Sequence, residues 1–270
     1  GEDAAPACVR VQFPLAYAMD AAMQREELNR YLDGLLEVTR YRDYCPNGLQ
    51  VEGRGEIRRI ATGVSASLDL IQAALAQGAD AILVHHGYFW KGDDPCLTGT
   101  RRARVALLLS RELNLFVYHL PLDAHAELGN NAQLGKRLGL IESGRFADQE
   151  IGVCGNLQPP MRLDAFAAHV KQCLGRAPLV IGDPALEVRK IAWCTGAAQG
   201  LFEEAIRLRP DAYLSGEISE PQVHLARESG VAFVAAGHHA TEKYGVQALG
   251  EHLAARFGLE HSFIDIPNPV

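Results

Sequence analysis

The sequence has no closely spaced pair of cysteines, and this absence argues against two classes of protein. Its six cysteines are scattered over 270 residues, and none of them forms a CxxC motif. Neither a disulfide framework nor a thiolate zinc site is expected from such spacing. Reduced thiols in the cytoplasm are the simplest interpretation, and we therefore predict a cytoplasmic protein.

Long apolar runs and an excess of positive charge are missing as well. No apolar stretch approaches the roughly 20 residues that cross a bilayer, so we expect no membrane partner. The formal net charge is −7 at pH 7, whereas nucleic-acid-binding domains usually carry a basic stripe. A nucleic-acid partner is therefore not expected, although a small anionic substrate held by metal ions is compatible with this charge.

The first residues of the chain do not resemble a signal peptide. Residues 1–18 lack both a basic start and a sustained apolar core. We interpret them as an extension, either disordered or added for expression, and Met19 as the start of the natural chain.

What the sequence does contain is a regular alternation of short apolar runs and helical patterns. Ile57–Val64 and Ala81–Val84 are predicted strands, and Ser65–Ser67 supplies capping residues for a helix over Leu68–Gln77. This βαβ unit is expected to close right-handed onto a parallel sheet. The alternation continues to a last helix over Thr241–Phe257, which predicts the α/β class.

The chain also repeats itself. Ile60 and Ile191 each begin a predicted strand, and Asp80 and Asp211 follow twenty residues later in their copies. Both pairs are 131 residues apart, so the two copies align without a gap. A chance match between generic βαβ units is the alternative, but the shared segments R-[RK]-I-A and D-A-x-L favour a true internal repeat.

Two adjacent histidines, His85 and His86, stand where the second strand of the first copy is predicted to end. Ligands of open α/β sheets bind beyond the carboxyl ends of the strands. Neighbouring residues of a strand point to opposite faces, so both rings converge only if the backbone turns. Gly87 permits such a turn.

Each copy then continues to another strand that ends in a histidine followed four residues later by an acid. These pieces are His119 with Asp123 and His238 with Glu242. The repeat therefore predicts that several strand ends surround one pseudo-symmetric crevice. Imidazole and carboxylate together, without thiolates, suit divalent zinc, iron, manganese or nickel.

Three nitrogens and two carboxylates form the predicted metal site. The five residues are His85, His86, Asp123, His238 and Glu242. They are too many for one catalytic zinc ion, which usually takes three protein ligands. They fit two metal ions about 3.5–4 Å apart, with Glu242 presenting one oxygen to each. The alternative is that these histidines are hydrogen-bonded structural residues at strand ends.

Other residues near these motifs leave alternatives open. Either His238 or His239 could be the ligand, although the spacing of four residues to Glu242 favours His238 if that turn is helical. Trp90 and its aromatic neighbours could wall the pocket, but core packing is the preferred interpretation.

Three residues are candidates for catalytic work, and each has an alternative role. They are His119, His125 and Glu217. The two histidines could transfer protons, contact substrate, or hold the metal ligands in place. Glu217 lies opposite His86 in the repeat, and it could be an acid or base or a structural residue.

Six segments of the chain belong together as a set: CPNGLQVEG, VHHGYFWKG, HLPLDAHAELGNNAQLG, SGEISE, GHHATEKYG and FIDIPNP. This set resembles the NGG-interacting-factor-three-like dinuclear metal-centre family, whose members are also described as type 2 homologues of GTP cyclohydrolase I. The resemblance covers Glu26–Pro269 and is closest to the short bacterial form. It places the family's metal ligands on the five residues already identified.

The resemblance implies two interlinked α/β domains of similar topology, with a di-metal site in the cleft between them. It also implies a ring-shaped homohexamer. We assign residues 19–138 and 231–270 to the first domain and residues 139–230 to the second.

The leading functional hypothesis is a metal-dependent hydrolase that acts on a nucleotide or another small molecule. Two cations would lower the pKa of a water molecule towards neutrality. In the GTP cyclohydrolase-type reaction that the resemblance implies, His119 or His125 would transfer protons. One alternative is a metal-stabilised ring scaffold that binds proteins, and another is a metal-handling or regulatory protein without catalytic turnover.

Overall fold

The computed structural model describes residues 22–270, so our interpretation of residues 1–18 lies outside it. The helices are α1 (Arg25–Leu35), α2 (Leu68–Ala76), α3 (Gly99–Ser110), α4 (Leu120–Ala124), α5 (Asn130–Leu138), α6 (Leu163–Leu174), α7 (Phe202–Arg207), α8 (Glu220–Ser229), α9 (His238–Thr241) and α10 (Lys243–Phe257). The strands are β1 (Met23–Gln24), β2 (Gly48–Val51), β3 (Glu56–Ile57), β4 (Arg59–Ser65), β5 (Ala81–His86), β6 (Asn114–Val117), β7 (Leu140–Phe146), β8 (Gly152–Arg162), β9 (Leu179–Ile181), β10 (Glu187–Cys194), β11 (Ala212–Ser215), β12 (Ala232–Ala235) and β13 (Glu260–Phe263).

Two large sheets organise these elements, as the predicted α/β class requires. The first sheet has the order β13-β4-β5-β6-β2, and only its edge strand β2 is antiparallel to its neighbour. The second has the order β7-β8-β10-β11-β12-β9, with β10, β11 and β12 parallel. Each sheet therefore contains three parallel strands from one copy of the repeat.

The two copies share a local detail that explains their aligned aspartates. The carboxylate of Asp80 accepts hydrogen bonds from two consecutive backbone amides where β4 begins, at 2.9 and 3.0 Å. Asp211 accepts the same pair of bonds from β10, at 2.9 and 2.8 Å. Each aspartate thus joins the start of one parallel strand to the start of the next.

Helix α10 connects the two halves. Tyr244 at its start packs in the core of the second sheet, whereas Val246, Leu249 and Leu253 pack in the core of the first. Burial of several large apolar side chains on each side stabilises this arrangement by several kcal/mol. The N-terminal end of α10 is consequently fixed at the junction between the sheets. Within residues 22–270, every helix is too short or too polar to span a bilayer.

Two details differ from our expectations. The strand Ala232–Ala235, which we assigned to the first domain, pairs with β11 and β9 in the second sheet. It is the third parallel strand of the second copy, and Phe233 and Val234 complete the cores on its two faces. The strand Leu140–Phe146 was not predicted, because only the first residue of this edge strand is buried and the strand carries no apolar alternation.

Candidate metal centre

The five predicted ligands meet in one cleft between the sheets. His85 and His86 end β5, Asp123 lies in α4, His238 begins α9, and Glu242 immediately precedes α10. β5 stays paired with β4 through His86, so the backbone turn that we expected at the two histidines is not present there, and their rings nevertheless lie together at the cleft with centroids 4.6 Å apart. His85, Asp123 and Glu242 are buried, which is costly for ionisable groups unless they have partners.

Glu242 stands at the centre and divides the cluster into two sets. Its Oε1 lies 3.4 Å from Nε2 of His85, which is itself 3.4 Å from Oδ1 of Asp123. Its Oε2 lies 3.2 Å from Nε2 of His86 and 3.1 Å from Nε2 of His238. Each set could hold one metal ion, with a carboxylate oxygen of Glu242 in each.

Two buried atoms of this cluster have no hydrogen-bond partner among the described residues. They are Nε2 of His85 and Oε2 of Glu242, one from each set. Buried polar atoms nearly always have a partner. Imidazole nitrogens and carboxylate oxygens are donors that suit divalent zinc, iron, manganese and nickel. The residues present therefore fit a divalent cation in each set.

His85 and His86 each make a hydrogen bond through Nδ1, and this bond orients Nε2 towards the cluster. Nδ1 of His85 donates to the backbone oxygen of Tyr118 at 2.9 Å, which directs Nε2 towards the cluster. Nδ1 of His86 hydrogen bonds the hydroxyl group of Ser65 at 3.1 Å. Such outer partners fix the tautomer and orientation of a metal-binding imidazole.

Glu217 has the same outer role for the third histidine. Its Oε1 accepts a hydrogen bond from Nδ1 of His238 at 2.6 Å, so Nε2 of His238 faces Glu242. Of the roles that we left open for Glu217, the structure favours holding a ligand over acting directly as an acid or base. His239 points elsewhere and donates to Asp265 at 2.7 Å.

Asp123 is held by two residues that the sequence did not reveal. Its Oδ1 accepts hydrogen bonds from the side-chain amide of Asn130 at 2.9 Å and from the hydroxyl group of Thr195 at 3.2 Å. Thr195 directly follows β10. Its place at a strand end of the second copy is the signal that could have identified it. Gly196 comes next with a φ of +70°, and a side chain there would collide with Glu242.

His119 is outside the two sets that share Glu242, but with His85 and His86 it forms a further group that could hold a metal ion. Its ring centroid is 5.0 Å from that of His85, and its Nδ1 donates to Asp43 at 2.7 Å. The other oxygen of Asp43 accepts bonds from the backbone amide of Leu120 and the side chain of Asn47, both at 2.9 Å. This paired carboxylate orients His119 and leaves its second ring nitrogen for the cleft.

Asp43 was not predicted as a site residue, and His125 does not lie where we expected it. Burial disfavours the charged form of Asp43, but the hydrogen bond and charge of His119 outweigh it and lower its pKa to about 2. His125 lies just past the end of α4, where its Nδ1 accepts bonds from the backbone amides of Glu127 and Leu128. It lines a different cavity, so it is not brought to the cluster.

The protonation of the cluster shows how strongly its charges interact. Burial disfavours a charged His85, yet the carboxylates of Asp123 and Glu242 outweigh it and raise the pKa of His85 to about 10. The pKa of His238 likewise rises to about 9, despite burial, because of Glu242 and Glu217. Burial lowers the pKa of His86 to about 3. Without a cation, protons on two imidazoles therefore offset the buried carboxylates.

A cavity of about 560 Å³ opens onto the cluster. His86, Asp123, His238 and Glu242 form part of its wall, together with His119. This volume is within the usual range for small-molecule sites. The cluster therefore has room beside it for a substrate.

The aromatic residues after β5 divide between the core and this cavity. Tyr88 is buried and donates to the backbone oxygen of Ala66 at 2.6 Å, as expected of a core residue. Trp90 instead lines the cavity, and its ring is perpendicular to that of His119 at a centroid distance of 4.9 Å. Our preferred interpretation of Trp90 as core was therefore incomplete.

Comparison with known proteins identifies close relatives. A Pseudomonas aeruginosa protein named GTP cyclohydrolase 1 type 2 homolog is 53% identical over 247 residues, covering 90% of this chain and 96% of that protein. An Escherichia coli protein of the same name is 46% identical over 248 residues, covering 92% and 100%.

Solved structures share the fold. The structure of protein ybgI, described as of unknown function, has a TM-score of 0.89 and 45% identity, covering 92% of this chain and 100% of that one. A protein from Thermus thermophilus has a TM-score of 0.82 and 35% identity with the same coverage. The model of the Duf34/NIF3 (NGG1p interacting factor 3) family matches residues 23–269. The chain therefore belongs to the Duf34/NIF3 family.

Proposed function

We propose that this protein is a metal-dependent hydrolase of small molecules that binds two divalent cations. The ligands would be His85, Asp123 and Glu242 for one ion and His86, His238 and Glu242 for the other. The observation that carries the proposal is the central Glu242, whose two oxygens face separate ligand sets. The ions would be of the zinc, iron, manganese or nickel class.

Two divalent cations, when bound, would supply Lewis acidity and a water molecule whose pKa is lowered towards neutrality. The chain itself supplies proton transfer through His119. With Nδ1 bonded to Asp43, its second ring nitrogen accepts a proton from the attacking water and returns it to the leaving group. A positioned acid–base group of this kind contributes about 10²–10⁴-fold to a rate.

The cavity beside the cluster supports an enzyme over a closed structural metal site. Catalytic metal sites keep open positions, whereas structural sites are fully ligated by protein. Part of the cluster lines a space large enough for a small molecule. We therefore favour the hydrolase over the ring-scaffold and metal-handling alternatives, and we propose a nucleotide or another small molecule as the substrate.

Metal content and hydrolysis test this proposal. Protein purified without chelators should contain about two metal ions per chain by elemental analysis, and His85→Ala should lower that number while the circular dichroism spectrum is retained. The metal-loaded protein should then hydrolyse at least one member of a panel of nucleotides and phosphate esters, including GTP. A wild-type protein that takes up no metal, or that turns over no compound with any of the four metals, contradicts the proposal.

Two further proposals concern the assembly, which rests on the family resemblance, and the location, which rests on the scattered cysteines. We propose a homohexameric ring and a location in the cytoplasm. Size-exclusion chromatography with light scattering should give six times the mass of one chain, and a monomer at micromolar concentration would refute the ring. Fractionation of cells that express the tagged protein tests its location.

A further inference from the structure

The cavity beside the metal-ligand cluster is lined by no lysine or arginine among the described residues. The chain as a whole has 26 lysines and arginines. Proteins that bind nucleoside triphosphates usually surround the phosphates with lysine, arginine and backbone amides. This wall offers no such cationic side chain.

Bound cations would not make up for that lack. Four carboxylates surround the two ligand sets: Asp123 and Glu242 inside them, and Asp43 and Glu217 directly behind His119 and His238. Together they carry the same formal charge as two divalent cations, with opposite sign. The loaded site would therefore be close to neutral, which suits one small anionic or polar group at the metals and not a chain of phosphates.

Most of the other residues in the wall are apolar, and one of them is a large aromatic residue. Leu120, Ile151 and Leu201 line the cavity together with Trp90. Tyr44 lines the same cavity and is 62% exposed, and its backbone oxygen accepts a hydrogen bond from the backbone amide of Lys91 at 2.6 Å. That bond joins the loop of Tyr44 to the loop of Trp90, and both aromatic rings lie beside His119, at centroid distances of 6.4 and 4.9 Å.

We propose that the substrate is a compound with a flat ring and a single metal-binding head group, and not a polyphosphate. The head would reach the two ligand sets, and the ring would pack against Trp90 and the apolar wall. Stacking of a base on an aromatic side chain typically contributes about tenfold or more to affinity. This inference rests on the proposed function, since it assigns the substrate class of the same site.

Two phosphonates that differ only in the ring test the role of the aromatic wall. Phenylphosphonate and methylphosphonate present the same head group and resist hydrolysis, so binding is measured without turnover. Calorimetry on the metal-loaded protein should show phenylphosphonate binding at least tenfold more tightly. Trp90→Ala should abolish this preference, and Trp90→Phe should retain most of it, while elemental analysis shows unchanged metal content. Equal affinities for the two phosphonates, or no binding of either, overturn the proposal.

A second pair of ligands tests the charge of the site. GMP and GTP share the ring and sugar, and with the free metal concentration buffered, GTP should bind no more tightly than GMP. Binding of GTP at least tenfold more tightly, with a further gain at low salt, overturns the proposal. The outcome is separable from that of the proposed function. A ring preference in a protein that hydrolyses nothing refutes the hydrolase alone, whereas hydrolysis without a ring preference refutes this inference alone.

Discussion

The carboxyl ends of β5 and β11 occupy the same place in the two copies of the repeat, but their side chains do different work. His85 and His86 end β5, and 131 residues later Gly216 and Glu217 follow β11. The histidines enter the ligand cluster directly. Glu217 instead stands behind His238, and a side chain at Gly216 would lie 2.7 Å from the Cα of His238. At this position the first copy supplies two ligands. The second copy instead leaves room for His238 at Gly216 and orients its ring through Glu217.

The ends of β6 and β12 differ in a second way. In the second copy, both His238 and Glu242 belong to the ligand sets. In the first copy Asp123 belongs to a set, but His119 is held beside the sets by Asp43. The proposed function uses His119, which is outside the two sets that share Glu242, for proton transfer. In that proposal, the asymmetry between the copies separates metal binding from acid–base work.

The largest effect is expected from removing the residue that both ligand sets share. Glu242→Gln leaves a side chain of nearly the same shape without the charge that faces His85, His86 and His238. We expect metal content to fall from about two ions per chain to below one, and hydrolysis to fall by at least about 10³-fold. Elemental analysis and initial rates measure both effects.

Glu251→Gln is the matched control for that change. Glu251 lies on α10, and Glu242 immediately precedes the same helix. The side chain of Glu251, however, is exposed and lies outside the ligand sets. Its substitution should leave metal content and rate unchanged. If Glu242→Gln still holds two ions, the shared carboxylate is not a bridge, and the two-set description of the cluster is wrong.

The next largest effect is expected from changing Asp43, the carboxylate that orients His119. Asp43→Asn should lower kcat by about 10²-fold, because the amide no longer fixes the tautomer and orientation of His119. Metal content should stay at about two ions, which distinguishes proton transfer from ligation. A parallel loss of metal and activity would show that Asp43 acts through the metal ligands instead.

Asp43 should also be visible in the acid stability of the metal-free protein. Its pKa is lowered to about 2 in the folded state, whereas an unfolded aspartate has a pKa near 3.9. The stability that this carboxylate contributes is therefore present above about pH 4 and is lost as the pH falls towards 2. The loss should be ~2 kcal/mol. Urea unfolding between pH 5 and pH 2 should show a pH dependence that is shallower by this amount in Asp43→Asn.

The sequence predicted the five members of the cluster because their positions follow from the topology alone. Carboxyl ends of parallel strands meet at one edge of a sheet, and a histidine four residues before an acid follows β6 and β12. Asp43 could not be found this way. It lies in a loop 76 residues before His119, and only tertiary packing joins the two. Pro46 and Asn47 in this loop are residues typical of a turn, but they do not indicate the direction of the Asp43 carboxylate.

His125 and β7 show the opposite limitation. His125 follows Asp123 by only two residues, but α4 ends at Ala124, so the chain carries its ring away from the cluster. The edge strand β7 pairs only with β8, and its solvent-facing residues need no apolar alternation. A sequence pattern shows which residues are buried and whether apolar residues recur at helical or strand spacing. Neither His125 nor β7 carries such a pattern.

The next largest effect is expected at Glu217, the outer carboxylate of the second copy. Glu217→Gln keeps a hydrogen-bond acceptor for His238 but removes the negative charge that makes its imidazole a better ligand. Affinity for one of the two ions should fall by about 10- to 100-fold. Titration of the metal-free protein with zinc and a competing chelator should then resolve one tight and one weakened site. Two equally weakened sites would contradict the division of ligands around Glu242.

The smallest effect tests why the second copy has glycine where the first has histidine. In Gly216→Ala the new methyl group would lie 2.6 Å from the backbone oxygen of Gly196 and 2.7 Å from the Cα of His238. Backbone atoms cannot move aside cheaply, so we expect a loss of about 1–3 kcal/mol in the free energy of unfolding of the metal-free protein. Urea unfolding measures this loss.

Gly34→Ala is the control, because a methyl group there would meet no atom within 4 Å in helix α1. Replacing a helical glycine by alanine should stabilise the protein by about 0.5–1 kcal/mol. The two substitutions therefore differ in sign, although each adds one methyl group. If Gly216→Ala is as stable as wild type and binds metal equally well, the glycine is not required for space at His238. The asymmetry between the strand ends would then rest on Glu217 alone.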